Sequence, residues 1–316
     1  MARPSVARAW TGAAIVAALA VIVVILAVLA MQRVSSAPAA RPATSPVAPT
    51  PSDQPTTGAT ETALPTPVAS ATAPPVVARA DERYLAAGTD GVIWRGTAGS
   101  CEDGTAPLIE RSIDDGVTWT DVTPTYRGIT ELVSLDDFAQ DQADAVASVL
   151  DGESADNPCD VRAMRTFSDG AFWEDDAELL AATTYAAPDA VATIVTPGGA
   201  IDAPCAEPRS VRSGGGRLAL VCEGSAFEWG GGEWIDREVP TAVAVAVTES
   251  GLYVAHVTTD CDGVQLSAVT DGAAQPAACQ QGVDPRFPLA LDVTDAIRMW
   301  TGDELLATAL PEGAAG

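Results

Sequence analysis

Three patterns of apolar and polar positions succeed one another along the chain. From Gly12 to Met31 the residues are unbroken in their apolar character, with no charged or strongly polar side chain. Twenty residues rising about 1.5 Å each span about 30 Å, the thickness of a bilayer core, which predicts a transmembrane helix over 12–31. A cleaved signal peptide carries only about 7–15 apolar residues. The small residues Ser35, Ser36 and Ala37 offer a cleavage site, but Pro38 follows at once. Residues 35–76 have no hydrophobic period and are built from Pro, Thr, Ser and Ala, including ten prolines. Such a segment cannot bury a core and is expected to be a disordered, semi-rigid stalk.

From Arg83 onward the pattern changes to short apolar runs separated by Gly, Asp, Asn and Pro. Examples are Val92-Ile93-Trp94, Leu218–Val221, Leu252–Val257 and Ile297–Trp300. The runs are four to eight residues long and recur every 8–14 residues, the signal of an all-β sandwich, barrel or propeller. Helical periodicity is poor; Asp136–Val149 reads as a short helix or as a loop followed by a strand. The organisation expected is a short tail (1–11), a transmembrane helix (12–31), a stalk (32–80), a folded β body (81–311) and a terminal tail (312–316).

Charge sharpens this division. All 17 basic residues are arginine, there is one histidine, and 43 acids set the net charge at −26. Residues 1–80 sum to +3 and residues 81–316 to −29. A body of that sign repels nucleic acid. The absence of lysine excludes Schiff-base, P-loop and Ser-Lys chemistry, and a single histidine excludes a multi-histidine metal site. The positive-inside rule is nearly balanced, because Arg3 and Arg8 face Arg33 and Arg41 across the apolar run. The even cysteine count and the stalk place the body outside the cytoplasm.

The six cysteines allow fifteen pairings. Spacing favours Cys205 with Cys222, and Cys261 with Cys279, each closing a short loop. Cys101 and Cys159 fall before equivalent strands and form the third favoured pair. No C-x-x-C occurs, so metal and redox roles are not expected.

A repeat decides among the β architectures. Residues 112–119 read Ser112-Ile-Asp114-Asp-Gly116-Val-Thr118-Trp119. Ser and Asp side chains can accept hydrogen bonds from the turn's own backbone, and Gly supplies positive φ. A worn copy, Thr166-Phe-Ser168-Asp-Gly170-Ala-Phe-Trp173, puts Ser where the Asp stands in the first. A third stretch, Phe227–Trp234, keeps only the spacing of Gly231 to Trp234. The tryptophans are separated by 54 and 61 residues, close to one four-stranded blade plus loops.

The S-x-D-x-G-x-T-W octet matches the Asp-box, and residues 83–310 resemble an Asp-box (BNR-repeat) β-propeller of the sialidase, photosystem-assembly-factor and sorting-receptor type. At about 45–50 residues per blade the body holds about five blades, with four to six allowed. The resemblance implies a ring closed by pairing strands from both ends, near Arg83 and near Leu305. It also implies that the box residues are structural and that Trp119 packs between blades. The alanine-rich, lysine-free composition is similar to that of high-GC actinobacterial proteins.

A sialidase needs three arginines clasping a carboxylate, a Tyr paired with Glu, and an Asp acid/base. Here only Pro285-Arg286-Phe287-Pro288 approaches that family's arginine motif, in the wrong order and near the wrong terminus. His256 lies in an alternating strand, and no G-x-S-x-G elbow accompanies it. Gly214–Gly216 and Gly230–Gly232 read as hairpin turns. No catalytic, cofactor-binding or metal-ligating residue is assigned. The expected function is a membrane-anchored extracytoplasmic propeller that binds a protein or glycan ligand; the alternative is an anchored, sialidase-like glycoside hydrolase of the cell envelope.

Overall fold

The computed structural model describes residues 77–88, 90–140, 142–150, 159–270 and 272–310. The expected tail, transmembrane helix and most of the stalk lie outside the described residues. Among the described residues, no helix is long and apolar enough to cross a membrane.

Six antiparallel sheets follow one another in chain order, and in each the first strand is the innermost. Sheet one is β1 (Arg83–Ala87), β2 (Ile93–Thr97), β3 (Leu108–Ser112) and β4 (Thr120–Asp121). Sheet two is β5 (Ile129–Ala139), β6 (Gln142–Val149), β7 (Asp160–Thr166) and β8 (Glu174–Asp175). After a short helix α1 (Ala177–Ala182), capped by the Asp176 carboxylate, comes the three-stranded sheet of β9 (Tyr185–Ala186), β10 (Thr193–Thr196) and β11 (Gly199–Asp202). Sheet four holds β12 (Arg209–Gly214), β13 (Arg217–Cys222), β14 (Ser225–Trp229) and β15 (Trp234–Pro240). Sheet five holds β16 (Ala242–Val247), β17 (Leu252–His256), β18 (Gly263–Thr270) and β19 (Ala273–Gln281). Sheet six has three strands, β20 (Leu289–Val293), β21 (Ala296–Thr301) and β22 (Glu304–Ala309). The chain is a six-bladed β-propeller.

Blades taper toward the axis, so side chains between their inner strands must be small or interleave closely. The alanines answer this: Ala143, Ala145, Ala147, Ala219, Ala244, Ala255 and Ala290 are all fully buried. Larger residues such as Trp94, Leu132, Met164, Leu266 and Met299 fill the spaces that remain between neighbouring blades.

Three expectations are corrected. The blade count is six rather than about five, because the third blade is short. It begins at Tyr185 and gives way to the fourth at Arg209, so the 61-residue interval between Trp173 and Trp234 spans part of one blade and two more. The segment Asp136–Val149 is the β5–β6 hairpin, paired from Ile129↔Val149 to Ala139↔Gln142. Its run of Ala and Asp obscured the alternation, but Ala143, Ala145 and Ala147 share one buried face.

The third correction concerns closure. β1 pairs with β2 and β20 with β21, and among the described residues no strand from one end completes the other's sheet. The ring is sealed by side chains. Arg83 stands 4.1 Å over the Trp300 ring, and Arg95 lies 3.8 Å from the Trp119 centroid and 4.8 Å from that of Trp300. Leu85, Ile93 and Ala290 complete this seam.

The tryptophans of three blades each reach back to the blade before. Trp119 joins the seam against blade six. Trp173 meets Trp94 edge-on at 6.1 Å and donates its indole N–H to Val122 O at 3.1 Å. Trp234 donates to Asp202 O at 2.8 Å.

Candidate functional site

The Ser112–Trp119 turn builds itself from local hydrogen bonds. Ser112 Oγ accepts from Gly116 N–H (2.8 Å) and Asp114 N–H (3.3 Å). The Asp114 carboxylate accepts from Thr118 N–H and from Thr118 Oγ1, both at 2.8 Å. Those bonds hold the Asp114 pKa below the usual carboxylate range. Asp115 and Gly116 are both left-handed (φ 55° and 84°). A Cβ on Gly116 would also strike Leu305 at 2.4 Å.

The Thr166–Trp173 turn repeats this geometry with other atoms. Thr166 Oγ1 takes the place of Ser112, accepting from Gly170 N–H at 3.1 Å. Ser168 Oγ takes the place of the Asp, accepting from Phe172 N–H at 3.0 Å. Asp169 and Gly170 again have φ of 57° and 83°. In the third stretch only the glycine turn remains, with Gly230 N–H bonded to Glu233 O at 2.9 Å.

All six cysteines are paired, as the spacing favoured: Cys101–Cys159, Cys205–Cys222 and Cys261–Cys279. The first ties blade one to blade two, where buried Glu131 also bridges Arg79 Nε (2.6 Å) and Cys101 N–H (3.1 Å). His256 is buried on β17, with Nε2 at 2.9 Å from Ser267 Oγ, and burial lowers its pKa. It faces no carboxylate in a relay.

Because all six inner strands run the same way, their C-terminal ends gather at one mouth of the central channel. There a cavity of about 340 Å³ opens between the ends of β1, β5, β12, β16 and β20. Asp90, Asp136, Asp137, Asp292 and Arg212 line it. Gly88 keeps the entrance clear: a Cβ there would lie 2.7 Å from Asp90 Oδ1 and 3.2 Å from Asp137 Oδ2.

Electrostatics in this funnel are one-sided. Asp137 is pushed up to about 6, by burial first and then by repulsion from Asp90. The Trp94 indole draws it the other way without reaching hydrogen-bond geometry. Asp292 is pushed up to about 7 by burial, against the opposing pull of Arg298 and Ala87 N–H and with added repulsion from Asp136 and Asp137. Asp136 is raised by loss of water, partly offset by a hydrogen bond from Ser134. Arg212 donates to the backbone oxygens of Arg83 (2.6 Å) and Val211 (2.9 Å), and its charge draws the Asp136 pKa down against burial, but it is one arginine facing four carboxylates.

The funnel lining contains no tyrosine and one arginine among the described residues. The three-arginine clasp and tyrosine of a sialidase are therefore not assembled there. No group of three or more His, Cys, Asp or Glu side chains is placed to hold a metal ion among the described residues. Sequence reading singled out none of the funnel carboxylates, because 41 acids in the body hid them. The only signal was their position just after an apolar run, and that became meaningful once those runs were known to be innermost strands.

No protein-family model matches the chain, and no curated protein matches it. Solved structures similar to it include YCF48 bound to D1 peptide (14% identity, 72% of this chain and 77% of that one, TM-score 0.41). Others are a GH74 enzyme of Niastella koreensis (12%, 71% and 36%, TM-score 0.35) and the PQQ-bound aldose sugar dehydrogenase of Streptomyces coelicolor (14%, 69% and 87%, TM-score 0.38). The propeller assignment rests on the strand order described above.

Proposed function

We propose that the chain is a membrane-anchored, extracytoplasmic interaction module whose propeller receives a positively charged ligand at the acidic funnel. The observation that carries this reading is the convergence of Asp90, Asp136, Asp137 and Asp292 on one open cavity, against a single lining arginine. A cation entering there offsets the burial that chiefly raises Asp137 and Asp292, and the repulsion from neighbouring carboxylates that adds to it. The apolar run Gly12–Met31 supports the anchor, and three disulfides support an oxidising compartment.

A second reading, an anchored glycoside hydrolase, is favoured by the same raised carboxyls, since a carboxyl with pKa near 7 can act as a general acid.

The test is retention of the full chain, in detergent micelles, on polylysine resin compared with polyglutamate resin. Salt-sensitive retention on polylysine alone, weakened in the Asp137→Asn, Asp292→Asn double variant but not in the charge-matched Asp260→Asn, Asp262→Asn variant at the opposite end of the blades, is the expected result. Equal weakening in both variants contradicts it. Turnover of cell-wall oligosaccharides that disappears in Asp292→Asn replaces the binding reading with the hydrolase. Protease shaving of intact cells is expected to release the propeller; protection of it contradicts the location.

A further inference from the structure

Five of the nine exposed large apolar side chains among the described residues lie on the first two blades, at the end where the funnel opens. They are Ile113 (68% exposed), Val117 (79%), Phe138 (42%), Phe167 (62%) and Phe172 (70%). Strand direction puts them there. β3 runs parallel to β1, and β7 parallel to β5, so the turns after β3 and β7 flank the funnel.

The turns do not require these residues. Their hydrogen bonds use the side chains of Ser112, Asp114, Thr118, Thr166 and Ser168. Polar residues at 113, 117, 167 and 172 would leave those bonds intact. An apolar patch that folding does not need, on an otherwise acidic surface, marks a contact surface.

The patch is continuous with the funnel. Phe138 lines the cavity and meets Phe167 edge-on at 6.1 Å. Arg111 ties the first turn's strand to Asp169 in the second turn at 3.1 Å, and Gly170 packs on Val122. The cations around the patch are already engaged: Arg165 with Asp144 at 2.7 Å and over Phe138, Arg298 with Asp295 at 2.6 Å. In the funnel itself four carboxylates face one arginine, so the charge offered to a partner is net negative.

Resting on the funnel reading above, we propose that this face docks a partner protein through an exposed segment that combines aliphatic or aromatic side chains with lysine or arginine. The apolar side chains cover the phenylalanines and the turn tips, and the basic group reaches into the funnel. Anionic lipid could cover the apolar patch but, like nucleic acid, is repelled by the carboxylates beside it.

A displayed library of random twelve-residue peptides, panned on the full chain in detergent micelles, tests this. Enrichment of peptides in which Lys or Arg stands among Leu, Phe or Trp is expected. A synthetic peptide of that enriched sequence should bind at least about ten-fold more weakly to Phe167→Ser, Phe172→Ser and to Asp137→Asn, Asp292→Asn, with both variants keeping the parent's circular dichroism spectrum. Enrichment of acidic or purely polar peptides, or no enrichment, overturns the inference. A peptide weakened by the Asp pair but not by the Phe pair overturns the inference and leaves the funnel reading standing. One weakened by the Phe pair alone overturns both. If the Asp pair alters the spectrum, Gly88→Leu replaces it, since that side chain blocks the same entrance from an adjoining strand end.

Discussion

The Arg83 guanidinium stacks 4.1 Å over the Trp300 ring and donates to Gly302 O at 2.7 Å, joining the first blade to the last. Among the described residues no strand crosses that seam, so these contacts and the approach of Arg95 to the Trp300 ring carry closure. Trp300→Ala should cost about 3–5 kcal/mol, the usual range for truncating a buried tryptophan. Arg83→Met keeps the aliphatic stem and should lose about 1–2 kcal/mol of cation–π attraction. Urea unfolding measures both, and a Trp300→Ala loss below that of Arg83→Met would show that closure lies elsewhere.

The two octet turns differ in sequence yet share one mechanism, which makes the second a sharp test. Thr166→Val preserves shape and leaves Gly170 N–H buried without its acceptor, at a cost of about 1–3 kcal/mol. Thr166→Ser restores the acceptor and should recover most of that loss. A loss in Thr166→Ser that exceeds the loss in Thr166→Val, measured by thermal unfolding, would mean that the methyl group and not the hydroxyl matters.

The disulfides should rank by the loop each closes. Cys101–Cys159 spans 58 residues, against 17 and 18 for the others. In the chain-entropy model that corresponds to about 4 kcal/mol against about 3. Paired Cys→Ser variants at each bridge, compared in urea, should follow this order.

Much of the architecture was legible in sequence, and the failures have physical causes. The β class, the two short-loop cysteine pairs and the octet turns follow from local chemistry, which a short window contains, while Cys101–Cys159 follows from the equivalent places of its two cysteines in successive blades. The third blade was invisible because β9 is only two residues long and no tryptophan octet marks it. The β5–β6 hairpin was obscured because alanine serves the tapered interior, where a larger apolar residue would have signalled a strand. The funnel was hidden for a different reason. Asp90, the Asp136–Asp137 pair and Asp292 come from three distant parts of the chain, and the shared direction of the inner strands brings them together.

Stability should depend on pH through the funnel. Asp137 and Asp292 have folded pKa values near 6 and 7, above the ordinary value of 3.8. Between those limits the folded state holds more protons than the unfolded state, so stability falls as pH rises. Raising pH from 5 to 8 should therefore destabilise the propeller by about 2–4 kcal/mol. Asp292→Asn should flatten that dependence and melt higher than the parent at pH 8. The groups facing Asp292 are Arg298, Asp136 and Asp137, and no histidine among them adds a transition in this range.

The same carboxyls make ligand binding the most direct measure of the central claim. Calorimetric titration of tetralysine into the full chain at pH 8 and at pH 5 compares a funnel in which Asp137 and Asp292 are ionised with one in which both are largely protonated. Binding at pH 8 that weakens at least ten-fold at pH 5, and is absent in the Asp137→Asn, Asp292→Asn variant at both, is the result expected. Binding that is equal at the two pH values, or that survives in the variant, would contradict a cation-receiving funnel.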